Sequence, residues 1–199
     1  MSRKKFYKTV INPFEDYAER QLLVVGLVLF LGAVLLSYVG QLQFFGILKI
    51  IPTPLTFIKA LYTLCIDVTL LTLFLSAYAY LENNKARIVD CFNVVLISSS
   101  VMYGLAALTL FSPVQRILDR IMVAINSGDM KLSTLQSMDL MIITFFGLIS
   151  ILLLLYFFYL VVIGIKLAMN GKKLYQGFVI VILVILADAT SKFLIQMIP

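Results

Sequence analysis

Residues 22–41 form a run of twenty residues without a single charged side chain. At 1.5 Å of rise per residue such a helix is ~30 Å long, the thickness of a bilayer's hydrocarbon core. A helix that is apolar on every side has to face other apolar matter, and one water-soluble core cannot supply it. Four more runs of this kind follow, at about 55–80, 91–110, 140–165 and 175–197. The composition agrees: 62% of the residues are hydrophobic and 13% charged, where a soluble domain is nearer ~45–50% and ~25%. The expected fold is an all-α polytopic transmembrane bundle of about five spans, with residues 1–199 forming one integral membrane domain.

The breaks between runs carry their own signals. Pro52-Thr53-Pro54 punctuates the entry to the second run, and Ser112-Pro113 stops the third. Ser137 or Asp139 suits the N-cap of the fourth, and Asn170-Gly171-Lys172-Lys173 suits its end, with glycine as C-cap and lysines facing the helix dipole. Arg3, Lys4 and Lys5 precede the first run as they would in a secretory signal, yet the run starts late, is long and is followed by no small-residue cleavage pattern. It is expected to be retained as a span.

Basic residues set the orientation. With a cytoplasmic N-terminus, that side carries Arg3, Lys4, Lys5, Lys8, Arg20, Lys85, Arg87, Lys166, Lys172 and Lys173. The opposite side carries Lys49, Arg116, Arg120 and Lys131. The asymmetry predicts N-terminus in and C-terminus out. The net charge of +6 therefore reads as topology, with weak attraction to anionic headgroups, and not as a nucleic-acid surface.

Two connections are expected to be interfacial helices. Around residues 12–20, Asn12 caps, Pro13 fits the first turn, and Glu15 and Asp16 face the dipole, with Phe14, Tyr17 and Ala18 on one face. Asn-Pro-Phe is also an adaptor-binding peptide in eukaryotic trafficking, but a helix start is the simpler reading of three residues. Around 113–126, Val114, Ile117, Leu118, Ile121, Met122 and Ile125 keep helical spacing, with Gln115, Arg116, Asp119 and Arg120 opposite. That pattern lies on a membrane surface or on its own bundle, and Asn126-Ser127-Gly128-Asp129 closes it as a turn.

Ionisable groups inside spans cost several kcal/mol and usually face a bundle interior or a cavity. Asp67 falls near the middle of the second span; Asp188 and Lys192 lie one turn apart in the fifth, acid before base; Lys59 lies near the outer end of the second. Asp67 is about a dozen residues from the outer end of its span and Asp188 about ten from that of its own, so both acids sit at similar depth. One polar cluster of Asp67, Asp188, Lys192 and Lys59 would then satisfy all four, with Thr63, Thr69, Thr72, Ser76, Thr190 and Ser191 adding hydroxyls. Such a cluster is either an ion-paired packing device, with Asp67 protonated, or an outward-facing site for a proton, ion or solute. In the third span Asn93, Ser98, Ser99, Ser100 and Gly104 suit close helix packing, and Tyr156 to Tyr159 form an aromatic patch in the fourth.

The chain contains no histidine and no tryptophan, and its two cysteines, Cys65 and Cys91, lie in or beside apolar runs and are expected to be buried free thiols. The ligand inventory gives no expectation of a metal or cofactor, and neither a phosphate loop nor a catalytic triad is recognisable. No enzymatic role is expected.

Five close spans, a short basic N-terminal tail, the Asn12-Pro13-Phe14 entry, Leu36-Ser37-Tyr38-Val39-Gly40 and Phe45-Gly46-Ile47-Leu48-Lys49 together resemble the Yip (Ypt/Rab-interacting protein) family in its bacterial branch. The resemblance covers the whole chain loosely. It implies a five-span, non-enzymatic membrane protein; eukaryotic members are linked to vesicle traffic and small GTPases, and bacterial members are largely without assigned function. The Asp-Leu-Tyr-Gly-Pro element of eukaryotic members is absent here, and with it the grounds for a GTPase partner. The expected function is a scaffold or membrane-organising role in a bacterial inner membrane, through the bilayer, a membrane-protein partner or self-association. A small transporter or channel using the polar cluster is the alternative.

Overall fold

The computed structural model describes residues 12–126 and 136–197. Among them seven helices and one β-hairpin follow in order: α1 (Pro13–Asp16), α2 (Glu19–Gly40), β1 (Leu42–Phe44), β2 (Ile50–Pro52), α3 (Phe57–Glu82), α4 (Ile88–Thr109), α5 (Ser112–Asn126), α6 (Ser137–Ala168) and α7 (Tyr175–Gln196). Five of these, α2, α3, α4, α6 and α7, are long and apolar enough to cross a membrane. Large apolar side chains such as Val28, Leu73, Leu81, Leu152 and Phe178 point outwards along them. In water each would cost free energy, whereas in lipid they meet their own kind.

The helices alternate in direction. One end of the bundle gathers the start of α2 and the α3–α4 and α6–α7 connections (the N-terminal face); the other holds the hairpin and α5 (the hairpin face). Helix α4 is central, packing against α2, α3 and α6, and two thirds of its most apolar window is buried. Glycine sets two of its close approaches. A Cβ on Gly26 would come 2.7 Å from Leu96 Cβ, and one on Gly164 would come 2.5 Å from Val94 Cγ1. Helices meet this closely in lipid because small residues allow backbone approach. Gly104, the glycine the sequence offers for that purpose on α4, instead faces open space. The buried small-polar positions of α4 are Asn93, Ser98 and Ser99.

Helix α6 is 32 residues long, or ~48 Å at 1.5 Å per residue, well beyond the ~30 Å of hydrocarbon. Its first turns extend along α5. There Val114 and Ile117 are buried while Gln115, Arg116, Asp119 and Arg120 are exposed, and Arg120 Nη1 donates to Asp139 Oδ2 at 2.8 Å. The amphipathic α5 therefore packs against its own bundle. The turn expected from residue 127 onward and Lys131 lie outside the described residues, as do Arg3, Lys4, Lys5 and Lys8 and the side chains of Met122 and Ile125.

Several boundaries differ from expectation for local reasons. The interfacial helix expected over residues 12–20 is a single turn, ending at an extended Tyr17. Ala18 is extended too, so Phe14, Tyr17 and Ala18 do not share a helical face. Asn12 makes no side-chain cap. At α6 the N-cap is Gln136, whose backbone N–H donates to Asp139 Oδ2 at 3.2 Å; Asp139 serves from the third helical position. At its far end the left-handed residue is Asn170, with φ 52°, not Gly171. The Gly171 N–H reaches Lys166 O at 2.7 Å and the Asn170 N–H reaches Leu167 O. This is the two-bond Schellman closure, in which asparagine replaces the usual glycine.

The hairpin is the element that apolar-run counting passes over. Leu42, Gln43 and Phe44 are all buried, because β1 is inserted into the end of the bundle. Strand β2 pairs with it antiparallel, Leu42 opposite Pro52 and Phe44 opposite Ile50. Gln41, left-handed at φ 49°, turns the chain out of α2. Its amide then staples the entry, donating to Tyr38 O at 2.7 Å and accepting from the Leu55 N–H at 2.6 Å. At the tip Gly46 has φ 87°, a conformation that costs an L side chain ~1–2 kcal/mol.

Candidate functional site

Helices α3 and α7 pack side by side and bring two of their acids to similar depth. Asp67, buried on α3, accepts a hydrogen bond through Oδ1 from the Ser191 hydroxyl of α7. One turn of α7 away, Asp188 Oδ2 takes the Lys192 ammonium at 2.5 Å. Its Oδ1 accepts the Leu48 backbone N–H of the hairpin at 3.0 Å. The Asp188 carboxylate thus joins a lysine of its own helix to the hairpin tip, and Gly46 lies flat against the pair. A Cβ there would sit 2.7 Å from Asp188 Oδ1 and 2.9 Å from Lys192 Cγ.

The cluster differs from its sequence outline in membership. The Lys59 ammonium has no hydrogen-bond or ion-pair partner among the described residues, and the residue is half-buried near the start of α3, where its backbone N–H donates to Thr56 Oγ1. One ammonium already neutralises Asp188, and Lys59 lies about two turns of α3 from Asp67, so it does not join. Three of the six expected hydroxyls bond their own helix, Thr63 to Ala60 O, Ser76 to Leu73 O and Thr190 to Leu186 O, while Thr72 Oγ1 is buried without a partner among the described residues. This back-bonding is the usual solution for Ser and Thr in a dry helix. Ser191 alone of them crosses to the other helix. Cys65 points outwards and Cys91 is buried; both are free.

Behind Asp67 lies a cavity of about 10 Å³ lined by Phe44, Ile47, Leu64, Val68, Ser99, Met102 and Tyr103. It is at the lower limit of what holds one water molecule. Asp67 Oδ2 and the Tyr103 hydroxyl have no hydrogen-bond partner among the described residues. The hairpin closes the cavity from its own face through Ile47 and Phe44, whose ring stands edge-on to Tyr103 at 5.7 Å.

No protein-family model, curated protein or solved structure matches this chain.

A second tie between α3 and α7, at the N-terminal face, carries no marker in the sequence. Glu82, the last residue of α3, accepts from Gln176 Nε2 at 2.9 Å and from the Tyr175 hydroxyl at 3.2 Å. Asn83 Nδ2 donates to Met169 O at 3.1 Å. Glutamine is uncharged, so a search for ionisable groups inside spans passes Gln176 by, although it is only 4% exposed. On the same face Arg87 Nη2 reaches Glu19 Oε2 and Asp90 Oδ1, each at 2.8 Å. The hydrogen bonds it donates, to Asp90 first and then to Glu19, hold that guanidinium's pKa above its ordinary value. Helices α3 and α7 are therefore pinned at mid-depth and at one end, and α2 and α4 at that same end.

Proposed function

We propose that this is a non-enzymatic integral membrane protein of Yip-like layout that acts by lateral helix contacts, organising its membrane or its membrane partners. The supporting observation is that the intramembrane charges are spent on internal bonds. Asp188 holds Lys192 and the hairpin, Asp67 holds Ser191, and the hairpin covers what is left. A transport site needs water or solute to reach the acids from one side, and the space beside Asp67 is about 10 Å³. The outward apolar faces of α6, with Met141, Phe145, Leu148 and Leu152 exposed, are the surfaces on which lateral contacts would form. The positive-inside bias supports a cytoplasmic N-terminal face, and the proposed setting is a bacterial inner membrane.

Reconstitution separates this reading from the alternative. In proteoliposomes with imposed proton and monovalent-cation gradients, the protein passes no flux above empty liposomes. Asp188→Asn lowers stability, Asp67→Asn leaves it nearly unchanged, and neither alters flux. An acid-dependent flux abolished by Asp67→Asn would replace the scaffold by a transporter. The orphaned Asp67 Oδ2 is the observation that favours that second reading.

A further inference from the structure

At the N-terminal face a cleft of about 210 Å³ opens between α1, α2, α4 and α6, well apart from the α3–α7 cluster. It has a polar wall and an apolar one. Glu19 and Asp90 stand in the first turns of α2 and α4; Leu22 and Val94 lie about a turn deeper, and Leu167 of α6 faces them. Asn93 sits within the cleft wall, 2% exposed. Its Nδ2 donates to Glu19 O at 3.3 Å, which leaves Oδ1 as the side chain's remaining acceptor. That oxygen has no partner among the described residues. A buried acceptor without a donor is costly and rare, and a polar cleft too large for one water is where a ligand donor would meet it.

The charges around it specify that donor. The charged residues that line the cleft are both acids, Glu19 and Asp90. The one guanidinium paired with them, Arg87, leaves one negative charge in excess among these three, with Lys166 one residue before the lining Leu167 on α6. The C-terminal end of α6, at Leu167 and Ala168, adds the negative pole of a helix dipole. The cleft favours a cation that still carries N–H groups. Arg87, whose side chain is 62% exposed, keeps donors free outside the cleft for an anion. A cation and an anion a few bonds apart above an apolar tail describe an amphiphile at the membrane surface, where the spans end.

We propose that this cleft binds the headgroup of an aminophospholipid, its primary ammonium on Asn93 Oδ1 and the Asp90 carboxylate and its phosphate on Arg87. The glycerol and first methylenes run over Leu22, Val94 and Leu167. A quaternary choline has the charge and lacks the N–H, so it leaves Asn93 orphaned. Discrimination by degree of N-methylation is the signature of the site.

Native mass spectrometry of the full-length protein tests this with phosphatidylethanolamine, its N-methyl and N,N-dimethyl forms, and phosphatidylcholine of identical chains. The expected result is retention falling with each methyl, with roughly tenfold preference for ethanolamine over choline, as one charge-assisted hydrogen bond gives. Asn93→Leu abolishes the preference. Since that change also removes the bond to Glu19, Ala168→Leu serves as a second variant, narrowing the cleft with every acceptor in place and lowering retention of ethanolamine lipid. Equal retention of the two lipids by the native protein, a preference kept in Asn93→Leu, or ethanolamine-lipid retention unchanged in Ala168→Leu overturns the proposal. Displacement of the lipid by soluble phosphoethanolamine at equal concentration also overturns it, in favour of a soluble-amine site.

Discussion

Gly46→Ala tests how the hairpin is seated, and its cost can be worked out in two parts. The backbone at φ 87° charges an alanine ~1–2 kcal/mol whatever surrounds it. The new methyl would then lie 2.7 Å from Asp188 Oδ1, where carbon and oxygen do not approach without one of them moving. If Asp188 moves, the 3.0 Å bond from the Leu48 N–H lengthens, and a hydrogen bond to a charged group is worth ~1.5–3 kcal/mol. The total is ~2.5–5 kcal/mol, and the second part depends on Asp188. A double-mutant cycle isolates it: in an Asp188→Ala background Gly46→Ala should cost only the ~1–2 kcal/mol of the backbone. The protein supplies its own probe of unfolding. With Cys65 replaced by alanine, the buried Cys91 reacts with a thiol-specific fluorophore only when the bundle opens, so its labelling on heating or in denaturing detergent reports the folded fraction. Gly104→Ala, in open space on α4, is the control and should change stability by under ~1 kcal/mol. An equal cost for Gly46→Ala with and without Asp188 would refute the docking of the hairpin on this carboxylate.

The remaining expectations use the same probe. Asp188→Ala strands Lys192 and frees the Leu48 N–H, costing ~3–5 kcal/mol; adding Lys192→Met in the same chain should recover part of that loss. Asp67→Asn keeps an acceptor for the Ser191 hydroxyl and should be tolerated within ~1 kcal/mol, whereas Asp67→Leu loses the bond and should cost ~1–3 kcal/mol. Gln176→Leu should destabilise by ~1–2 kcal/mol through its lost bond to Glu82, and limited proteolysis should then cut first at the residue 169–174 connection. Gly164→Ala drives a methyl to 2.5 Å from Val94 and should cost ~1–3 kcal/mol as an overpacked helix contact, measured as earlier Cys91 labelling.

The spans were legible because a membrane imposes one rule on every residue of a crossing helix, and five runs obeyed it. Asp67, Asp188 and Lys192 stood out for the same reason in reverse, as exceptions to that rule. What sequence could not supply was tertiary. Residues 42–52 are mostly apolar but too short to span, broken by Gln43, Gly46 and Lys49, and the hairpin exists because Phe44 and Ile47 find a gap between α3 and α4. Gly46 in a left-handed turn was the available signal, since a glycine between two short apolar strands suits a hairpin tip. Depth alone groups Lys59 with the acids, and depth does not fix which way a helix face turns. Gln176 and Asn93 are not ionisable, so the rule against charge in lipid does not mark them, although both are buried in polar contacts that hold helices together.

The account turns on whether water reaches the α3–α7 acids, and cysteine accessibility measures that most directly. In a chain with Cys65 and Cys91 replaced by alanine, single cysteines go in at Val68 and Ser99, which line the cavity beside Asp67, and at the exposed Lys49 on the hairpin. A membrane-impermeant maleimide should label Lys49→Cys within minutes. Val68→Cys and Ser99→Cys should stay unlabelled from either face until the protein is denatured. Labelling of either cavity position in the folded protein at a rate near that of Lys49→Cys would show an aqueous path to Asp67 and contradict the sealed bundle.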